Sequence, residues 1–107
     1  MKTRNLTKFN SICHQICALI KSSNQLFDID KRLSTYRMIA MFRLISRDMN
    51  IIKLYQKENN FINGVVSFCM DSKNMQMLEL YSTRSQFQFC KKQIKHIIGR
   101  ETYYLIF

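Results

Sequence analysis

Apolar positions recur at three- and four-residue steps through the first half of the chain. Leu6, Phe9, Cys13, Ile16 and Ile20 form one series, with Ile12, Cys17 and Leu19 beside it. That spacing lines one side of a helix. Asn5 or Thr7 is placed to cap its start, and the polar Ser22–Ser23–Asn24 to end it. Phe27 to Asp30 then reads as a connector, and Asp30 as the N-cap of a second helix. From Lys31 to Arg47, Leu33, Tyr36, Ile39, Ala40, Phe42 and Ile45 supply an apolar face. Lys31, Arg32, Arg37, Arg43 and Arg47 fall mostly on the other side, as solvated residues do.

Near Asn50 the pattern changes. Ile51–Tyr55 and Gly64–Cys69 are short apolar runs on either side of the polar stretch Gln56–Asn60. Short runs bounded by turn residues read as an antiparallel hairpin. Asp71–Asn74 reads as a second turn and Met75–Tyr81 as a third strand. Helical spacing returns with Phe87, Cys90, Ile94, Ile97 and Ile98, and Gly99 stands where a helix C-terminal glycine belongs. Thr102–Phe107 is β-branched and aromatic, the composition of a buried strand. Strand, helix and strand in that order predict a right-handed parallel crossover. The expected fold class is α/β, with two N-terminal helices, an antiparallel three-strand meander and then a β-α-β unit. All of it belongs to one domain spanning residues 1–107.

Composition adds a charge argument. The chain carries 17 Lys and Arg against 7 Asp and Glu, a formal net charge of +10. Such an excess favours an acidic partner, either nucleic acid, an anionic membrane face or an acidic protein, and it equally describes a solvated basic surface. Hydrophobic residues make up 47% of the sequence, enough for a packed core. No apolar run has the length of a membrane span, so a cytoplasmic location is expected. With no proline and two glycines, the chain has no glycine-rich phosphate loop and no dinucleotide fingerprint. Cys13, Cys17, Cys69 and Cys90 contain no CxxC pair and read as reduced, mostly buried thiols. No metal site is expected. A zinc site from Cys13, Cys17, His14 and one more ligand is the disfavoured alternative, since on a helix His14 points about 100° away from Cys13.

Glu79 is the leading candidate for chemistry. A carboxylate within an apolar strand is costly to bury unless it is paired, and its raised pKa would suit a general base. The same alternation also allows Glu79 to face solvent, opposite Leu78 and Leu80. His14 is the candidate acid-base partner, approaching from the first helix. Arg84, Lys91, Lys92 and Lys95 are the candidate anion- or donor-binding residues. Phe87 and Phe89 interleave with them, either to stack on bases or to anchor the helix start.

Four segments carry a family resemblance: Ile62–Phe68, Leu78–Tyr81, Lys91–Ile98 and Tyr103–Ile106. Their order resembles the core of the GNAT acyltransferases over about half of the chain. In that family a small-residue loop precedes the helix and holds the pyrophosphate of coenzyme A. Here Gln88 and Cys90 stand where small residues belong, which implies poor binding of acetyl-coenzyme A. The two leading helices and Ser22–Ser23 resemble the toxin-activating lysine acyltransferases, which take a fatty acyl group from acyl carrier protein. Glu79 matches the strand that holds their catalytic carboxylate. Their histidine has Leu26 or Phe27 in its place here. The resemblance implies acyl transfer to a lysine amine, with an acyl carrier protein thioester or coenzyme A as donor. The alternative reading is a non-enzymatic basic module that binds nucleic acid or an acidic protein.

Overall fold

The computed structural model describes residues 2–55 and 61–107, with side chains at 5–55 and 63–107. Among these residues there are seven helices and no strand: α1 (Lys2–Leu26), α2 (Lys31–Arg47), α3 (Met49–Tyr55), α4 (Phe61–Met70), α5 (Ser72–Tyr81), α6 (Arg84–Ile98) and α7 (Arg100–Ile106). The fold is all-α. The expected three-strand meander and the β-α-β unit are therefore corrected to helices, and with them the GNAT-like α/β core. The strands on which that resemblance rested are α4, α5 and α7. The expected turn at Gln56–Asn60 lies outside the described residues.

The two leading helices form as their spacing predicts. Asp30 accepts a hydrogen bond from the Leu33 backbone N–H at 3.0 Å and caps α2. α1 runs past Ser22–Asn24 to Leu26, so the serine pair does not end it. Ser23 is tolerated inside the helix because it faces Ser34 of α2. The Ser34 hydroxyl donates to the Ser23 carbonyl at 2.8 Å, and the two hydroxyls lie 3.0 Å apart. Both residues are buried, and pairing removes the cost of desolvating them alone. α2 lies at the centre and packs against α1, α3, α5 and α6. Its Met38, Met41, Phe42 and Ile45 meet Phe9, Ile12 and Ile16 of α1 in one core. Burying each such side chain stabilises the fold by about 1.5–3 kcal/mol.

The segment Asp71–Tyr81 shows why the strand expectation failed. Asp71 is an N-cap, accepting from the Lys73 N–H at 3.0 Å, so the polar stretch read as a turn starts a helix. The Asn74 side chain donates to the Phe68 carbonyl at 3.1 Å and ties α5 to the end of α4. In α5, Leu78 is fully buried and Leu80 is 74% exposed. Two residues in alternate strand positions would share a face, whereas on a helix they point about 200° apart. Short apolar runs satisfy either period until a partner surface selects one.

Candidate anion-binding face

α6 is built from its first turn. Thr83 accepts from the Gln86 N–H at 3.1 Å, and the Gln86 side chain accepts from the Thr83 N–H at 2.9 Å. This reciprocal capping box fixes where the helix begins. Cys90, Gln93 and Ile94 then turn into the core. On the opposite side, Arg84, Gln88, Lys91, Lys92 and Lys95 fall within an arc of about 100°, at 100° per residue. From Arg84 to Lys95 the stripe is about 16 Å long, at 1.5 Å per residue. No Asp or Glu occurs on α6.

The cations of this stripe have no carboxylate partner among the described residues. The ion pair found there is Arg47–Asp48, at 2.7 Å. Asp30 and Asp71 are held by helix N-termini instead. On one flank of α6, a cleft of about 300 Å³ against α2 is lined by Ile39, Arg43, Ser85, Gln86 and Phe89. Arg43 comes near enough to act on Cys90. Burial pushes the Cys90 thiol up to about 12 against the pull of that guanidinium. Burial also pushes Cys69 up to about 12, and Cys90 adds to the shift. Cys13 rises to about 11 through burial and the neighbouring Cys17, offset by a backbone hydrogen bond. Thiols held protonated in this way are packing groups and poor nucleophiles. Among the described residues no cluster of three His, Cys, Asp or Glu could hold a metal ion.

On the other flank lies α7. Gly99 ends α6 with φ +85° and ψ 160°, a backbone conformation that L side chains rarely adopt. The chain turns there, and α7 packs back on α6. The Lys91 Nζ sits 4.9 Å from the Phe87 ring centre and 5.7 Å from that of Phe107. The Lys95 Nζ sits 5.4 Å from both Tyr103 and Tyr104. These half-buried lysines hold their ammonium groups within cation–π distance of the rings.

The sequence-predicted residues thus separate into two groups. Arg84, Lys91, Lys92 and Lys95 come together on one face. Glu79 and His14 do not come together. Glu79 is exposed on α5, at the rim of a cleft of about 300 Å³ shared with Leu105 of α7 and the following Phe107. His14 is exposed on α1, which packs against α2, α3 and α4, whereas α5 packs against α2, α4 and α6. No hydrogen bond joins them. The segment Arg84–Cys90 is helix, with Cys90 in the core and Gln88 in solvent, so the loop-crowding argument against coenzyme A does not apply to it. Sequence reading missed Tyr103, Tyr104 and Phe107 as surface groups because it placed them in a buried strand. Their signal was the spacing of Tyr103 and Phe107, one helical turn apart.

A second grouping of cations and rings lies at the α1–α2 turn. Lys31 and Lys73 stand 4.6 and 5.0 Å from the Phe27 ring centre, and Arg32 stands 5.8 Å from that of Tyr81. Asp28, Asp30 and Asp71 lie close by in sequence and offset its charge, whereas α6 itself carries no carboxylate and Glu79 and Glu101 stand on the neighbouring helices. Among the described residues no helix is long and apolar enough to cross a membrane. No protein-family model matches the chain, and no curated protein or solved structure shows significant similarity to it.

Proposed function

We propose that this protein is a non-enzymatic, all-helical module that binds nucleic acid through the basic face of α6. One observation carries the reading: Arg84, Lys91, Lys92 and Lys95 line one helix face that bears no carboxylate, and none is ion-paired to a described residue. Unpaired cations in a row meet successive phosphates, and counterion release then drives binding. Of the seven acidic residues, Asp30 and Asp71 are committed to caps and Asp48 to Arg47. Acyl transfer to lysine, implied by the resemblance, drew its support from a strand slot beside Glu79. That segment is a helix with Glu79 in solvent.

The test is fluorescence anisotropy with a labelled oligonucleotide at about 50 and 200 mM salt. Four phosphate contacts on a single strand predict a log–log salt slope of about −2.8, a loss of about 50-fold over that range. The double variant Arg84→Gln/Lys92→Gln is expected to bind more weakly with a slope of about −1.4. A control that neutralises Lys21 and Lys53, exposed on α1 and α3, is expected to retain the slope. Equal effects from the two double variants would mean net charge alone acts, and would overturn the stripe. Absence of binding to any oligonucleotide at low salt, with binding to acyl carrier protein, would replace nucleic acid by an acidic protein.

A further inference from the structure

From the corner between α6 and α7 we infer that this protein stacks unpaired bases and so selects single-stranded over double-stranded nucleic acid. The inference rests on the phosphate-binding reading of α6 and adds a second contact to it. Tyr103 and Tyr104 of α7 and its C-cap residue Phe107 fall within about one third of a helical circumference, at 100° per residue. The rings form a connected shelf. Tyr103 lies edge-to-face with Tyr104, centroids 5.2 Å apart, and 5.0 Å from Phe107, which meets Phe87 of α6 at 6.0 Å. Tyr104 is 62% exposed and Phe107 40%, so both rings keep surface open to solvent.

What makes the shelf specific is its position beside the basic stripe. Lys95 lies against Tyr103 and Tyr104, and Lys91 between Phe87 and Phe107. Within one nucleotide the phosphate and the base are neighbours, and here a cation and an open ring are neighbours too. A single strand presents both groups at once. A duplex stacks its bases against each other and offers phosphates and groove edges but no open base face along its length. Aromatic rings bind base faces with little regard for sequence, because every base has a π-face. Low sequence preference is therefore expected.

Gly99 sets this geometry. Its positive φ turns the chain so that α7 lies on α6, and a Cβ there would meet nothing within 4 Å. The position thus calls for glycine through its backbone conformation, not through crowding.

The experiment compares an oligothymidylate of about 15 nucleotides with a duplex of the same length, using the full chain. The single strand is expected to bind at least about fivefold more tightly, the weakest effect of one stacked base. Tyr104→Ala and Tyr104→Leu are each expected to weaken single-strand binding by about 5- to 150-fold and to leave the salt slope unchanged. Tyr104→Phe is expected to bind as the wild type does. The chain has five tyrosines and no tryptophan, so the part of the tyrosine quenching on binding that Tyr104→Leu removes reports stacking on that ring. If the duplex binds as tightly, or Tyr104→Leu binds as the wild type, stacking is refuted while the phosphate reading stands. If Tyr104→Leu retains, and Tyr104→Ala loses, binding to anionic vesicles, with no strand preference, the shelf is a lipid contact and the inference fails. If no oligonucleotide binds at low salt, the phosphate reading fails and takes the inference with it.

Discussion

The pair Leu78→Ala and Leu80→Ala separates the helical fold from the strand that local sequence favours. Leu78 is fully buried in the common core, whereas Leu80 is 74% exposed. Removing a buried leucine side chain costs about 2–5 kcal/mol, from lost transfer energy and the cavity left behind. Truncating an exposed one stays within about 0.5 kcal/mol. For 107 residues, an unfolding entropy of about 2.1 cal/mol/K per residue gives about 0.22 kcal/mol/K. A loss of about 3 kcal/mol then lowers Tm by about 13 °C, and the Leu80 variant shifts it by about 2 °C or less. Thermal melts followed by far-UV circular dichroism measure both. If Leu78→Ala does not fold, Leu78→Met keeps the volume and is expected to cost less than about 1.5 kcal/mol. Equal losses from the two alanine variants, which a strand with both leucines on one face would give, would refute the helix.

Four further outcomes follow from the geometry. Gly99→Ala is expected to cost about 1–3 kcal/mol through its backbone, to loosen α7 from α6 in near-UV circular dichroism, and to weaken single-strand binding. D-alanine at the same position, which favours positive φ, should restore both. Thr83→Ala removes the capping box of α6 and is expected to lower stability by about 0.5–2 kcal/mol in urea melts. Cys69 and Cys90 are raised from 9.0 to about 12 in the folded state, so the native protein holds protons that the unfolded chain releases. Their contribution is complete below pH 9.0 and is lost as pH rises towards about 12. Urea melts on either side of that onset should show the decline, and Cys69→Ala/Cys90→Ala should flatten it. Ser34→Ala leaves the buried Ser23 hydroxyl without the partner that bridges α1 and α2, and is expected to cost about 1–3 kcal/mol in the same assay.

Several features were legible in local residues. The apolar stripes of α1 and α2 and the Asp30 cap were readable because a long amphipathic period admits one regular structure. The apolar spacing of α6 and its end at Gly99 were readable for the same reason, helped by the special backbone of glycine. Lys91, Lys92 and Lys95 were also readable as one exposed face, because a helix places residues three and four apart on one side, whereas Arg84 was expected in a loop before the helix.

Tertiary structure decided the rest. Ile51–Tyr55, Met75–Tyr81 and Thr102–Phe107 are each seven residues or fewer, and their composition suits strands as well as helices. A strand needs a neighbouring strand to satisfy its backbone, whereas a helix satisfies its own. The first two runs settle as helices where Ile52 and Leu78 are buried, against a core built by α1 and α2, and the third lies on α6 with no fully buried residue. Ser23 looked like a helix end, since nothing near it in sequence reveals that Ser34 waits across the α1–α2 interface. Glu79 in an apolar run admits two readings from sequence, a buried base or a solvent-facing carboxylate. The packing of α5 turned it to solvent. Tyr103, Tyr104 and Phe107 became a surface shelf only through the turn at Gly99 and the lysines of α6. That juxtaposition joins residues of two helices, and no local pattern encodes it.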